Sequence, residues 1–290
     1  MAALRAAPRR LSVYAAAIRF EHTVFALPFA YMGMLLAAGG WPGWGDALLI
    51  TAAMAGARTG AMAANRLIDA EIDARNPRTA DRALVTGSMR RLEMAALLVA
   101  GFTVLVVCAA LLDPLALALS PLAIVMVTLY PYAKRFTYLS HWLLGLADSI
   151  AAAGAWIAIA GSLEPAGALL ALAMAFWIAG FDIIYACQDI SVDRAQGLHS
   201  IPARFSLRTA LWLSRASHLV TVASLTGVGL LLGLAWPFWA GVAVVGAILV
   251  YEALLVRPDD LSRLQKAFFE LNSYVSLALL AAVVIALLVP

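Results

Sequence analysis

The chain has 290 residues, of which 64% are hydrophobic and only 13% are charged. Soluble domains carry about 45–50% apolar and about 25% charged residues, so a water-solvated globule is excluded. The same apolar content excludes intrinsic disorder. The formal net charge of +3 is modest, and no nucleic-acid partner is expected.

At about 20 residues per crossing plus loops, the length accommodates about nine membrane spans. The two cysteines, Cys108 and Cys187, fall in apolar stretches at different depths. They suggest neither a disulfide framework nor a metal cluster, and they read as small buried apolar residues.

Residues 1–20 are Ala/Arg-rich and lack a small-residue cleavage site after an apolar core. They are expected to form a cytoplasmic or interfacial lead-in and not a removed signal peptide. Apolar runs then predict helical spans at about 22–39, 46–64, 91–112, 114–131, 140–160, 166–186, 211–232, 236–255 and 268–289. Turn formers separate them at Gly39-Gly40-Trp41-Pro42, Asp113-Pro114, Gly161 to Pro165 and Trp236-Pro237. No linker divides the chain, so a single transmembrane domain over 1–290 is expected.

Charge placement orients the spans. All 20 Lys and Arg residues lie in the N-terminus, Arg58 to Arg91, Lys134-Arg135, Arg194 to Arg215, or Arg257 to Lys266. The alternate loops carry only Asp46, Asp113 and Glu164. Positive charge marks the cytoplasmic side. The N-terminus is therefore expected inside and the C-terminus outside, in a multi-pass protein of the inner (cytoplasmic) membrane. The inside loops after the second and sixth spans are long and charge-rich, which puts the expected active site on the cytoplasmic face. Trp41, Trp44, Trp236 and Trp239 near the span ends read as interfacial anchors. The four His residues are scattered, and no His-based metal site is expected.

The second span runs into Asn65, Asp69 and Asp73. Residues four apart on a helix share one face, so three oxygen-bearing side chains form one stripe, and Pro77 disfavours continuing the helix. Like charges at this spacing repel, so a cation is called for. Mg²⁺ is the natural candidate, because it takes one or two carboxylates and shares phosphate oxygens. The alternative is a solvated helix end whose acids pair with Arg66, Arg75 and Arg78.

The sixth span repeats the spacing at Asp189 and Asp193, and Tyr185 and Asp182 extend that stripe into the membrane. An ionised Asp at depth costs about 2.5–3.5 kcal/mol on insertion scales, so Asp182 should face the bundle interior with a partner. Two such stripes on one face would hold divalent cations and, between them, a diphosphate. Arg78, Arg82, Lys134, Arg135 and Arg204 are candidate diphosphate contacts; each also serves as a positive-inside residue.

At these residues the chain resembles the UbiA superfamily of intramembrane prenyltransferases. The likeness is carried by Asn65-x-x-x-Asp69-x-x-x-Asp73, by Asn76-Pro77-Arg78-Thr79 with Arg82, and by Asp189 and Asp193 with Asp182 and Tyr185 before them. It is also carried by Gly197-Leu-His199-Ser200-Ile-Pro202-Ala-Arg204-Phe205, Glu21-His22-Thr23, Tyr132-Ala-Lys134-Arg135-Phe136, and Phe268-Phe269 with Asn272. The strings are similar to the 4-hydroxybenzoate polyprenyltransferase branch and its menaquinone-pathway relatives. Arg66 departs from the pattern, since many members carry a second acid there.

The resemblance implies an all-α fold of nine transmembrane helices around a central cavity, with the Asp motifs at its cytoplasmic mouth. It implies Mg²⁺ held by Asn65, Asp69, Asp73, Asp189 and Asp193, and transfer of a polyprenyl group from its diphosphate to an aromatic acid in quinone biosynthesis. In that chemistry Asp182 and Tyr185 stabilise the allylic cation or take the ring proton.

Arg58 lies two turns deeper than Asn65 and needs a partner: an acceptor carboxylate, the interface, or a salt bridge to Asp182 or Asp148. Arg19 is a second acceptor candidate. The partners expected are the polyprenyl diphosphate, the aromatic acid and the lipid bilayer, with no obligate protein partner. The alternatives are prenylation of a naphthoate and, from another class, a cation transporter or channel. A channel should carry acids through the depth and on both faces, whereas here they concentrate on one.

Overall fold

The computed structural model describes residues 23–264 and 270–289. Eleven α-helices run through these residues: α1 (Thr23–Ala38), α2 (Trp44–Ala74), α3 (Arg91–Leu112), α4 (Pro114–Ala133), α5 (Ser140–Ala160), α6 (Pro165–Ala186), α7 (Ile190–Gln196), α8 (Ile201–Arg204), α9 (Leu207–Leu232), α10 (Trp236–Leu255) and α11 (Asn272–Leu288). No sheet forms among the described residues. Seven helices (α2 to α6, α9 and α10) are long and apolar enough to cross a membrane. α1 and α11 are apolar but run to 16 and 17 residues.

Local chemistry accounts for the boundaries. Asp113 caps α4, its Oδ1 accepting from the backbone N–H of Leu115 at 2.7 Å and of Ala116 at 3.0 Å, with Pro114 in the first helical position. Trp236-Pro237 do not form the break expected there. They open α10, and the turn is made by Gly233 at φ 59°, because Pro is accepted in a first turn.

α2 runs to Ala74, about three turns beyond the apolar stretch. Residues 65–74 lose hydropathy but contain no Gly or Pro, so the helix continues. At about 1.5 Å per residue, 31 residues span about 46 Å, well beyond a hydrocarbon core of about 30 Å.

The second acidic segment departs from the expected continuous helix. α6 ends at Ala186, and the amides of Cys187, Gln188 and Asp189 bond three residues back, to the carbonyls of Ile184, Tyr185 and Ala186. This tight turn breaks the axis, and Asp189 becomes the residue before α7 while Asp193 lies within it.

Neighbouring helices pack around a closed ring in the order α1, α2, α3, α4, α5, α6, α9, α10, α11 and back to α1, and α1 also crosses to α5. Glycines set two of these contacts. A Cβ on Gly101 of α3 would stand 2.6 Å from both the Gly56 carbonyl oxygen and the Gly60 amide of α2. A Cβ on Gly145 of α5 would stand 2.0 Å from the Ala175 carbonyl oxygen of α6. Small residues of this kind let membrane helices approach closely.

The core is apolar and aromatic, with Phe29 stacked on Trp177 at 5.1 Å. Outward faces are apolar too: Leu219, Leu230, Val250 and Leu254 are each more than half exposed. Helices apolar on every side belong in lipid, and the chain is a multi-span membrane protein.

Candidate active site

The cavity lies at one end of the bundle and holds about 240 Å³. It is off-centre. Its walls come from α2, α4, α5, α6, α7 and the loops beside them, and no described residue of α1, α9, α10 or α11 lines it.

The first stripe stands on one face of α2. Asp69 and Asp73 are buried, and the Asn65 amide donates to Asp69 Oδ2 at 3.4 Å. Helix α2 stops at Ala74, and the following loop folds back over its end. Thr79 Oγ1 donates to the Asp73 carbonyl at 3.0 Å, and the Arg78 amide donates to Asn76 Oδ1 at 2.9 Å.

That return places Arg82 on Asp73 and Arg78 on Asp189. Arg78 Nε lies 3.0 Å from Asp189 Oδ1, Nη2 lies 2.5 Å from Oδ2, and Nη1 donates to Tyr185 Oη at 2.7 Å. Burial works to lower the Arg78 pKa, but the Asp189 hydrogen bond and the charges of Tyr185 and Asp189 outweigh it and hold the guanidinium above its ordinary value.

Just beyond α4, Lys134 Nζ reaches Asp69 Oδ2 at 2.5 Å. Asp193 accepts from Ser200 Oγ at 2.6 Å. Burial raises the Asp193 carboxyl above its ordinary value, the Ser200 bond opposes the rise, and the Asp189 charge adds to it.

Five carboxylates (Asp69, Asp73, Asp182, Asp189 and Asp193) line the cavity against three cations, Arg78, Arg82 and Lys134. With His141 neutral, two negative charges are left over. Among the described residues no three His, Cys, Asp or Glu side chains are gathered closely enough to hold a metal as they stand; Asp69, Asp73 and Asp189 are each paired with a basic side chain. The donor set nonetheless suits a hard cation. It is all oxygen, and Asp69 Oδ1 is buried and accepts no hydrogen bond, with Arg135 Nη2 3.6 Å away. Mg²⁺ asks for oxygen donors of this kind.

Of the candidate diphosphate contacts, Arg78, Arg82 and Lys134 line the cavity, whereas Arg135 and Arg204 do not. Arg135 donates to the Ile68 carbonyl at 2.7 Å, and Arg204 lies over the Tyr138 ring at 5.9 Å. Arg58 pairs with Asp148 at 3.0 Å inside the bundle and does not line the cavity. Its Nε is buried and makes no hydrogen bond. Arg19, Glu21, His22, Phe268 and Phe269 lie outside the described residues.

Asp182 lines the cavity, and its partner is His141, whose Nδ1 lies 2.6 Å from Asp182 Oδ2. Sequence reasoning missed His141, Tyr130 and Ser200. His141 had a signal, since it is an ionisable residue in the first turn of an apolar span. The scatter of the four His residues along the sequence hides it.

A ring of lipid-facing helices with an acidic, cation-braced cavity at one end defines a membrane-embedded protein with a polar site. The chain belongs to the UbiA prenyltransferase family, whose signature matches residues 26–274; it is therefore a prenyl-transferring enzyme, and the transporter or channel alternative loses its support. It is 33% identical over 267 residues to the 4-hydroxybenzoate octaprenyltransferase of Cupriavidus necator, covering 89% of this chain and 92% of that protein. It is 29% identical to the mitochondrial 4-hydroxybenzoate polyprenyltransferase of Rattus norvegicus, covering 98% and 77%. Among solved structures, the apo UbiA homolog from Aeropyrum pernix K1 superposes with a TM-score of 0.83 at 36% identity, covering 91% of this chain and 98% of that one. A UbiA homolog from Archaeoglobus fulgidus bound to GPP and Mg²⁺ shares the fold, with a TM-score of 0.64 at 21% identity over 94% and 99% of the two chains.

Proposed function

We propose that the chain transfers a polyprenyl group from its diphosphate to a small aromatic acid resembling 4-hydroxybenzoate, with Mg²⁺ as cofactor, in quinone biosynthesis. The observation that carries this is the meeting of two acidic segments, more than a hundred residues apart in sequence, on one cavity braced by Arg78. The names of the curated relatives support the acceptor class. Residues 1–290 act as one domain of nine spans in the inner membrane, with the N-terminus and the cavity mouth on the cytoplasmic side and the C-terminus outside. The one-sided placement of Lys and Arg supports that orientation.

Asp69, Asp73, Asp189 and Asp193, with Asn65, would hold Mg²⁺. When bound, the metal supplies charge neutralisation that makes the diphosphate a better leaving group. Arg78, Arg82 and Lys134 exchange their carboxylate partners for diphosphate oxygens, which Arg binds in bidentate fashion. Arg135 and Arg204 take no direct part. The apolar walls exclude water, which would quench an allylic cation. The Tyr185 ring stabilises that cation, and Asp182 accepts the ring proton. Arg58 lies outside the cavity lining, paired with Asp148, and its unpartnered Nε supports contact with an anionic acceptor group that reaches deeper than the cavity.

A naphthoate acceptor is the second choice, because a fused ring acid presents the same carboxylate. The deciding experiment gives purified protein in nanodiscs a prenyl diphosphate and a panel of benzoates and naphthoates, with and without Mg²⁺. Pyrophosphate release that needs both Mg²⁺ and one ring acid is expected. Release that ignores the acid, or none with any acid, overturns the proposal.

A further inference from the structure

His141 sits in the first turn of α5, buried, and lines the cavity. Its two ring nitrogens have different partners. The backbone N–H of Ile201 donates to Nε2 at 3.3 Å, and Nδ1 faces Asp182 Oδ2 at 2.6 Å. A nitrogen that accepts an N–H carries no proton of its own. Nε2 is therefore the bare nitrogen, the ring is the neutral tautomer, and Nδ1–H donates to Asp182. A protonated imidazolium would set a donor against the Ile201 N–H.

Asp182 is the more exposed of the two, with 24% of its side chain accessible against 5% for His141. It lines the cavity with Oδ1 unbonded to any described residue. The arrangement is a chain: backbone of α8, imidazole of α5, carboxylate of α6, cavity. Ser200, which precedes α8, also binds Asp193, so the short helix that locks the imidazole is tied to the acidic mouth.

We propose that His141 is a positioning residue for Asp182: the α8 backbone fixes its tautomer, it orients the carboxylate as an acceptor, and it presents Oδ1 to the acceptor ring. This rests on the prenyl-transfer chemistry proposed above and goes beyond it by assigning how the base is held. The step balances as follows. The ring carbon's π electrons form the C–C bond to the prenyl carbon, whose C–O bond has broken with its electron pair leaving on the diphosphate. The ring C–H bond then breaks, its electrons restore aromaticity, and the proton passes to Asp182 Oδ1. His141 does not shuttle that proton, because Nδ1 already bears one and Nε2 is covered by the Ile201 N–H. The proton leaves through the cavity mouth.

The test compares His141→Leu, His141→Asn, Asp182→Asn and the double variant H141L/D182N, with an acceptor carrying deuterium at the reacting ring carbon. His141→Leu is expected to lower kcat by about ten- to a hundredfold, less than the roughly 10²–10⁴-fold that a proton acceptor itself contributes, because Asp182 is still present. KM for the prenyl diphosphate should stay within about threefold, and the deuterium isotope effect should rise above the wild-type value as proton loss becomes rate-limiting. Asn places an N–H near Nδ1 and should recover most of kcat, while the double variant should be no slower than Asp182→Asn alone, since residues acting as one unit are not additive. A His141→Leu enzyme with wild-type kcat and isotope effect, or losses that multiply in the double variant, overturns the proposal. Should His141→Leu not fold, an unchanged isotope effect in His141→Asn together with a large loss of kcat does so instead. Wild-type protein that transfers no prenyl group to any ring acid overturns the function itself, and this inference with it.

Discussion

Arg78 and Asp189, 111 positions apart, meet in a two-pronged ion pair, with Nε 3.0 Å from Oδ1 and Nη2 2.5 Å from Oδ2. Asn76 Nδ2 adds a third donor to Oδ1 at 3.2 Å. The loop after α2 thereby grips the turn after α6, and the two acidic segments become one site. The planar fork of Arg matches a carboxylate and a phosphate equally well, so the group that joins the segments is also suited to hold the ligand.

Arg78→Lys keeps the charge but loses the fork and the Tyr185 contact. The kcat/KM for prenyl diphosphate should fall by about ten- to a hundredfold, the scale of one lost hydrogen bond to a charged group. Steady-state kinetics at saturating acceptor check this, and an unchanged value would remove Arg78 from diphosphate binding.

Chelation with EDTA should abolish transfer, and added Mg²⁺ should restore it. Asp69→Ala and Asp189→Ala should each cost more than the roughly 10–100-fold that supporting residues of a metal site contribute. Calorimetry of prenyl diphosphate binding, with and without Mg²⁺, separates a binding loss from a chemical one. Near-full activity in either variant would break the two-segment site.

Gly101→Ala should destabilise the bundle, because its new Cβ would stand 2.6 Å from backbone atoms of α2 at both Gly56 and Gly60. Overpacking of this kind costs about 1–3 kcal/mol. Thermal unfolding in detergent should show a lower midpoint, and a matched Ala substitution at the open position Gly246 should not.

Arg58→Leu should raise KM for the ring acid far more than KM for the prenyl diphosphate. It also strands Asp148, whose pair with Arg58 is half-buried, at a cost below the roughly 3–5 kcal/mol of a fully buried pair losing one partner. The double variant Arg58→Leu/Asp148→Leu removes that strain. If it restores stability while acceptor KM stays high, Arg58 binds the acid; if KM recovers with stability, Arg58 serves Asp148 alone.

What the sequence determined by itself is local. Apolar run lengths specify the long helices, since lipid leaves backbone groups no partner outside the segment. Asp113-Pro114 and Gly161 mark ends that turn on cap chemistry within a few residues. Asn65, Asp69 and Asp73 share a face because the helical repeat brings every fourth residue round. Where a local rule was extended too far, as across residues 187–189, three short backbone bonds replaced the expected helix, and nothing in the residue types announces that turn.

The tertiary structure decided which side chains meet. Asp69 finds Lys134, Asp73 finds Arg82, Asp189 finds Arg78 and Asp182 finds His141, the last across the α5–α6 contact that Gly145 lets close. Spacing along one helix says nothing about the rotation of its neighbour, so a buried acid reveals that it needs a partner but not which one. That choice is made by packing, where a shift of an ångström or two separates a hydrogen bond from an orphaned charge.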